Sequence, residues 1–67
     1  MKLVSVILPT YNEAGNIIPL IKEIQTAVKQ HLEIIVVDDN SPDGTSELVL
    51  KYITKSKKNN VRLITRY

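Results

Sequence analysis

The chain has 67 residues, a formal net charge of +2 and a hydrophobic fraction of 43%, which allows one small domain at most and excludes a disordered composition. With no cysteine and a single histidine, His31, it has no disulfide, no thiolate metal site and no basis for a histidine metal site. The charge is too small to argue for nucleic acid, no apolar run approaches the roughly 20 residues that span a bilayer, and Leu3 to Leu8 is too short and lacks the small-residue cleavage site of a signal peptide, so a cytoplasmic location is the default expectation.

Leu3 to Leu8 is almost continuously apolar and rich in β-branched residues. It reads as a buried parallel strand ended by Pro9. A tight turn is expected over Asn12 to Gly15, followed by a helix from Ile17 to Gln30. Ile17, Ile21, Ile24 and Val28 make one stripe of that helix, with Leu20 and Ala27 beside it. Asn16 suits the N-cap, which leaves Pro19 in the first turn, where its missing N–H costs little. His31 then falls at the helix end, where a cation suits the dipole.

Glu33 to Asp38 is a second strand, again apolar on both faces. A loop runs from Asp39 to Gly44, and a second helix from Thr45 to Thr54 turns Leu48, Val49, Tyr52 and Ile53 inward. Asp43 is the expected N-cap, and Glu47 suits the positive end of the helix dipole. Lys55 to Asn60 reads as a polar loop whose Lys55, Lys57 and Lys58 are a solvated cluster. Val61 to Thr65 is a third strand. The order βαβαβ implies right-handed crossovers, with both helices on one face of a three-stranded parallel sheet. Strands apolar on both faces need cover on both, and these helices supply only one. The chain therefore reads as a single truncated unit, residues 1–67, the first portion of a larger nucleotide-binding domain.

Two segments carry the chemistry. Each follows a strand, at the carboxyl edge of the sheet where open α/β folds bind ligands. In Pro9-Thr10-Tyr11-Asn12-Glu13, Tyr11 offers a ring face to a nucleobase and Glu13 offers acceptors to ribose hydroxyls; the plainer reading is a turn in which Tyr11 packs on the rim. In Asp38-Asp39-Asn40-Ser41-Pro42-Asp43-Gly44-Thr45, neighbouring carboxylates on a strand point to opposite faces. Asp39 is the one expected in the cleft, accepting N–H groups of a base, while Asp38 orders the loop through its backbone N–H groups; capping by both is the plainer reading. Ser41, Asp43 and Gly44 are turn chemistry that holds Asp39 in place, with Gly44 permitting a close approach or positive φ.

With both segments in view, the chain resembles the family 2 glycosyltransferases of GT-A fold. It looks most like their dolichol-phosphate (polyprenol-phosphate) mannosyltransferase branch, on the Ser41-Pro42-Asp43-Gly44-Thr45 spelling. The resemblance implies a Rossmann-like first portion of a nucleotide-sugar-binding domain. Pro9, Tyr11 and Glu13 would line the nucleotide pocket, and Val37 and Asp39 would complete it. It implies transfer of mannose from GDP-mannose to a polyprenyl phosphate at a membrane surface, with inversion. Mg²⁺ or Mn²⁺ would assist the leaving diphosphate. Its ligands, and all catalytic residues, would lie beyond this chain, so the 67 residues alone are expected to be inactive.

The alternatives are a UDP-sugar enzyme of the polyprenyl-phosphate glucosyl type, a non-catalytic remnant, a phospho-acceptor receiver domain (Ile35 to Asn40 resembles its acidic pair) and a dinucleotide-binding dehydrogenase. The receiver lacks an acceptor aspartate after Val61, and the dehydrogenase lacks its glycine fingerprint after the first strand.

Overall fold

The computed structural model describes residues 2–56 and 60–67. The element order is β1 (Leu3–Thr10), α1 (Ile17–Ala27), β2 (His31–Asp38), α2 (Thr45–Lys55) and β3 (Val61–Thr65). The three strands form one parallel sheet in the order β1-β2-β3. The register places Thr10 beside Asp38 and Asp38 beside Thr65, so the three strands finish level.

Alternation decides which face of each strand is buried. Val4, Val6, Leu8 and Thr10 of β1, Leu32, Ile34, Val36 and Asp38 of β2, and Val61, Leu63 and Thr65 of β3 lie under the helices. Ile17 and Ile21 of α1 and Val49 of α2 close this layer, and Ile34 and Val36 are fully buried at its centre. Each such aliphatic side chain contributes about 2 kcal/mol through loss of apolar contact with water. The two helices are joined laterally by Tyr52, whose hydroxyl donates to Gln25 Oε1 at 2.7 Å, while Gln25 Nε2 donates to Asn60 Oδ1 at 2.9 Å. The expected three-stranded parallel βαβαβ arrangement is thus present, with both helices on one face.

The other face is bare. Leu3 and Ile7 of β1 and Ile64 of β3 are 49%, 61% and 52% exposed there. On that face Ser5 Oγ donates to Glu33 at 2.6 Å.

Several local expectations are corrected. Pro9 does not end β1; the strand continues to Thr10. β1 is an edge strand, and the Thr10 carbonyl accepts the Asp39 N–H at 3.0 Å across to β2. The preceding residue therefore turns its nitrogen to the open edge, where a missing N–H breaks no ladder bond. The helix α1 stops at Ala27, not Gln30, because Val28 is already extended (φ −91°, ψ 115°) and the chain must reach β2. His31 consequently opens β2, paired with Leu3, and is not at a helix end. Leu20 and Leu48 are 40% and 38% exposed and are not core residues; Thr45 takes the buried place in α2. Lys55 closes α2 instead of starting a loop, and Lys57 and Lys58 lie outside the described residues.

Asn16 and Pro19 occupy the expected positions at the start of α1, but the Asn16 side chain makes no cap bond. It donates to Glu13 Oε2 at 3.3 Å, while the Glu13 carbonyl accepts the N–H groups of Asn16 and Ile17. In α2 the cap position belongs to Gly44, at φ 85°, one residue later than expected. The Asp43 carboxylate still receives an orphan donor, the Thr45 N–H, at 3.1 Å.

Candidate functional site

The carboxyl ends of β1 and β2 run into the two loops singled out by their chemistry. Alternation separates the two carboxylates as expected: Asp38 points under α2 and is fully buried, whereas Asp39 emerges on the bare face.

Asp38 is the hub of the inner side. Its Oδ1 accepts the hydroxyls of Thr10 (2.7 Å) and Ser41 (2.6 Å), and its Oδ2 accepts the Ser41 N–H (2.9 Å) and the Ser46 hydroxyl (2.8 Å). Ser46 Oγ also lies 3.0 Å from Thr65 Oγ1, which ties β3 into the same network. Burial alone would raise this carboxyl, but the Ser41 hydroxyl and N–H, with Thr10 and Ser46, outweigh it and lower the pKa from 3.8 to about 2. Asp38 thus holds its loop at Ser41, through one N–H and one hydroxyl, and ties it to Thr10 of β1 and Ser46 of α2.

The second loop also grips the first. Three successive N–H groups, of Asn12, Glu13 and Ala14, donate to Ser41 Oγ (2.9 Å), Thr45 Oγ1 (3.0 Å) and Asp43 Oδ2 (3.1 Å). Asp43 also accepts the Thr45 hydroxyl, the main cause of its lowered pKa. Asn12 and Asn40 take left-handed φ values of 55° and 52° at the two bends, a conformation asparagine tolerates better than most residues. At Gly44 the need is for positive φ and not for a close approach, since an added Cβ would meet nothing within 4 Å.

On the bare side, Pro9, Thr10, Tyr11, Val37, Asp39 and Arg66 line a cleft of about 210 Å³. Four of the five residues expected in a nucleotide pocket, Pro9, Tyr11, Val37 and Asp39, therefore converge. Glu13 is not among them. It lies round the β1 edge, lining a second hollow of about 210 Å³ with Leu8, Asn16, Ile17 and Leu20, although Pro9 and Thr10 border both. Arg66 is the residue that sequence reasoning missed. Its N–H donates to the Asp38 carbonyl at 2.7 Å, and its Nε sits 3.6 Å from Asp39 Oδ1. The available signal was positional: Arg66 follows β3 by one residue, as Asp39 follows β2.

Among the described residues no group of three His, Asp or Glu side chains could hold a metal ion. Both Asp38 oxygens are already taken by four donors. The described residues do not fit a divalent cation. Among the described residues no helix is long and apolar enough to cross a membrane.

Residues 5–66 match the family model described as glycosyl transferase family 2. The chain is 49% identical over 57 residues to the dolichol-phosphate mannosyltransferase of Pyrococcus furiosus, covering 78% of this chain and 16% of that protein. It is 36% identical over 72 residues to the dolichyl-phosphate beta-glucosyltransferase of Mus musculus, covering 96% of this chain and 22% of that protein. The undecaprenyl-phosphate 4-deoxy-4-formamido-L-arabinose transferase of Aeromonas hydrophila is 40% identical over 52 residues, 73% of this chain and 16% of the relative. The chain thus spans about a fifth of the length of these relatives or less. The family match takes in both loops, which removes the receiver and dehydrogenase readings.

Proposed function

The chain belongs to glycosyl transferase family 2, and from that membership we propose that the polypeptide carrying it transfers mannose from GDP-mannose to a polyprenyl phosphate, with residues 1–67 forming part of the nucleotide site. The observation that carries this reading is the convergence of Pro9, Tyr11, Val37 and Asp39 in one cleft at the carboxyl edge of the sheet. Tyr11, 57% exposed, has a ring face available for stacking on a base. Asp39, on the bare side, supplies carboxylate acceptors for base N–H groups. Glu13, which lines the adjoining hollow with Pro9, would accept the hydroxyls of a ribose lying over Pro9. In the reaction a lipid phosphate oxygen attacks the anomeric carbon from the face opposite the donor phosphate. The bond from that carbon to the β-phosphate oxygen breaks, GDP departs with the electron pair, and the configuration inverts. Any divalent cation that assists takes its ligands from residues outside this chain, as does the groove for the lipid.

The mannosyl choice rests on the Ser41-Pro42-Asp43-Gly44-Thr45 spelling and on the 49% identity with the archaeal mannosyltransferase. A UDP-glucose enzyme is the second reading, favoured by the coverage of 96% of the chain in the mouse glucosyltransferase alignment. Calorimetric titration of GDP, GDP-mannose and UDP-glucose with Mg²⁺ into the full-length polypeptide that carries this sequence tests the two. Preferential binding of GDP and GDP-mannose is expected. Preferential UDP-glucose binding would move the protein to the second reading, and no binding by a folded protein would remove the donor-site reading itself.

A further inference from the structure

We infer that Arg66 is a specificity-determining residue of the cleft, which together with Asp39 reads the edge of a guanine and rejects a uracil. The inference rests on the nucleotide-site reading above and concerns which base that site takes.

The geometry begins with the sheet register. Thr10, Asp38 and Thr65 are level across the three strands. The next residues of the three chains, Tyr11, Asp39 and Arg66, therefore form a row along the carboxyl edge, and all three line the same cleft. The row is held from behind by backbone bonds, Asp39 N–H to the Thr10 carbonyl at 3.0 Å and Arg66 N–H to the Asp38 carbonyl at 2.7 Å. The side chains themselves remain open, 62% exposed for Asp39 and 70% for Arg66, and they touch each other at 3.6 Å. An exposed ion pair of that length contributes little to folding, so stability gives no reason for Arg66 to stand there.

The pair has a definite polarity along the row. A carboxylate offers two acceptors and a guanidinium beside it offers only donors. The Watson–Crick edge of guanine presents the complement in the same order: the 2-amino and N1 hydrogens as two adjacent donors, then O6 as an acceptor. Asp39 takes the two donors and Arg66 the carbonyl, each a charge-assisted bond. Uracil presents acceptor, donor, acceptor. Against the same row, one carboxylate oxygen would face a carbonyl oxygen, leaving a desolvated acceptor unpaired. A mismatch of this kind discriminates more strongly than a missing apolar contact. Tyr11 in the row stacks on either base and does not choose between them.

The test is calorimetric titration of GDP and UDP into the full-length polypeptide and its Arg66→Ala and Arg66→Gln variants. The wild type should prefer GDP. Arg66→Ala should weaken GDP about tenfold, the loss expected for one charge-assisted hydrogen bond, and leave UDP nearly unchanged. Arg66→Gln, which keeps an N–H donor, should fall between. Equal weakening of both nucleotides would assign Arg66 to the shared ribose or diphosphate and overturn the inference, as would an unchanged GDP affinity. A wild type that prefers UDP overturns the inference while leaving the donor site in place; a wild type that binds neither nucleotide removes the donor site as well.

Discussion

Asp38 keeps a charge where no surface of the residue meets water, and four hydrogen-bond donors make that possible. Its pKa in the folded state is about 2, against 3.8 for a free side chain. A depressed carboxyl stabilises the fold fully above the unfolded value, and that stabilisation drains away as pH falls through the folded one. Urea midpoints should therefore decline between about pH 4 and pH 2, and Asp43, also lowered, adds to the decline. Asp38→Asn should cost about 1–2 kcal/mol at pH 7 and should flatten most of this acid slope, leaving the share of Asp43. An unchanged slope in the variant would show that other carboxylates govern acid unfolding. The opposite placement of Asp38 and Asp39 was legible in the sequence because alternation along a strand separates them. Arg66 was not, since a lone arginine after a strand has no signature until the register of β3 brings it level with Asp39.

The elements were legible wherever hydrophobic period and flanking turns agreed. Val61–Thr65 is a strand as expected, and Pro19 sits in the first turn of α1, where its missing N–H breaks no bond. The end of α1 was not legible. The apolar stripe continues through Val28, so period alone carries the helix on to Gln30, but pairing of Leu3 with His31 claims those residues for the approach to β2. The start of α2 at Thr45 is as expected, but its cap position shifted by one residue for a backbone reason. Asp43 has the right chemistry for a cap, yet the chain needs a left-handed residue before Thr45, and Gly44 supplies it. Because an added Cβ there would meet no neighbour, Gly44→Ala isolates the backbone cost. It should lower stability by about 1 kcal/mol, read from the urea midpoint, with Gly44→Asn losing less. A neutral alanine variant would mean that the loop relaxes to a right-handed turn at no cost.

At the scale of the whole molecule, the sheet has one finished face and one bare face. The sequence already implied this, because the strands are apolar on both sides and the helices number two. It did not show which face the cleft opens on; the structure puts it on the bare side, where Pro9 and Val37 line it. What joins the two halves of the carboxyl edge is the grip of the second loop on the Asn12, Glu13 and Ala14 amides. Each partner lies about thirty residues away along the chain, at separations of 29, 32 and 29, so none of these bonds can form until β1 and β2 are in register. The three amides of the first loop are therefore expected to share one opening event. Hydrogen exchange followed by NMR should give them a common protection factor, below that of the β2 core, and three unrelated values would mean that the rim of the cleft loosens one residue at a time.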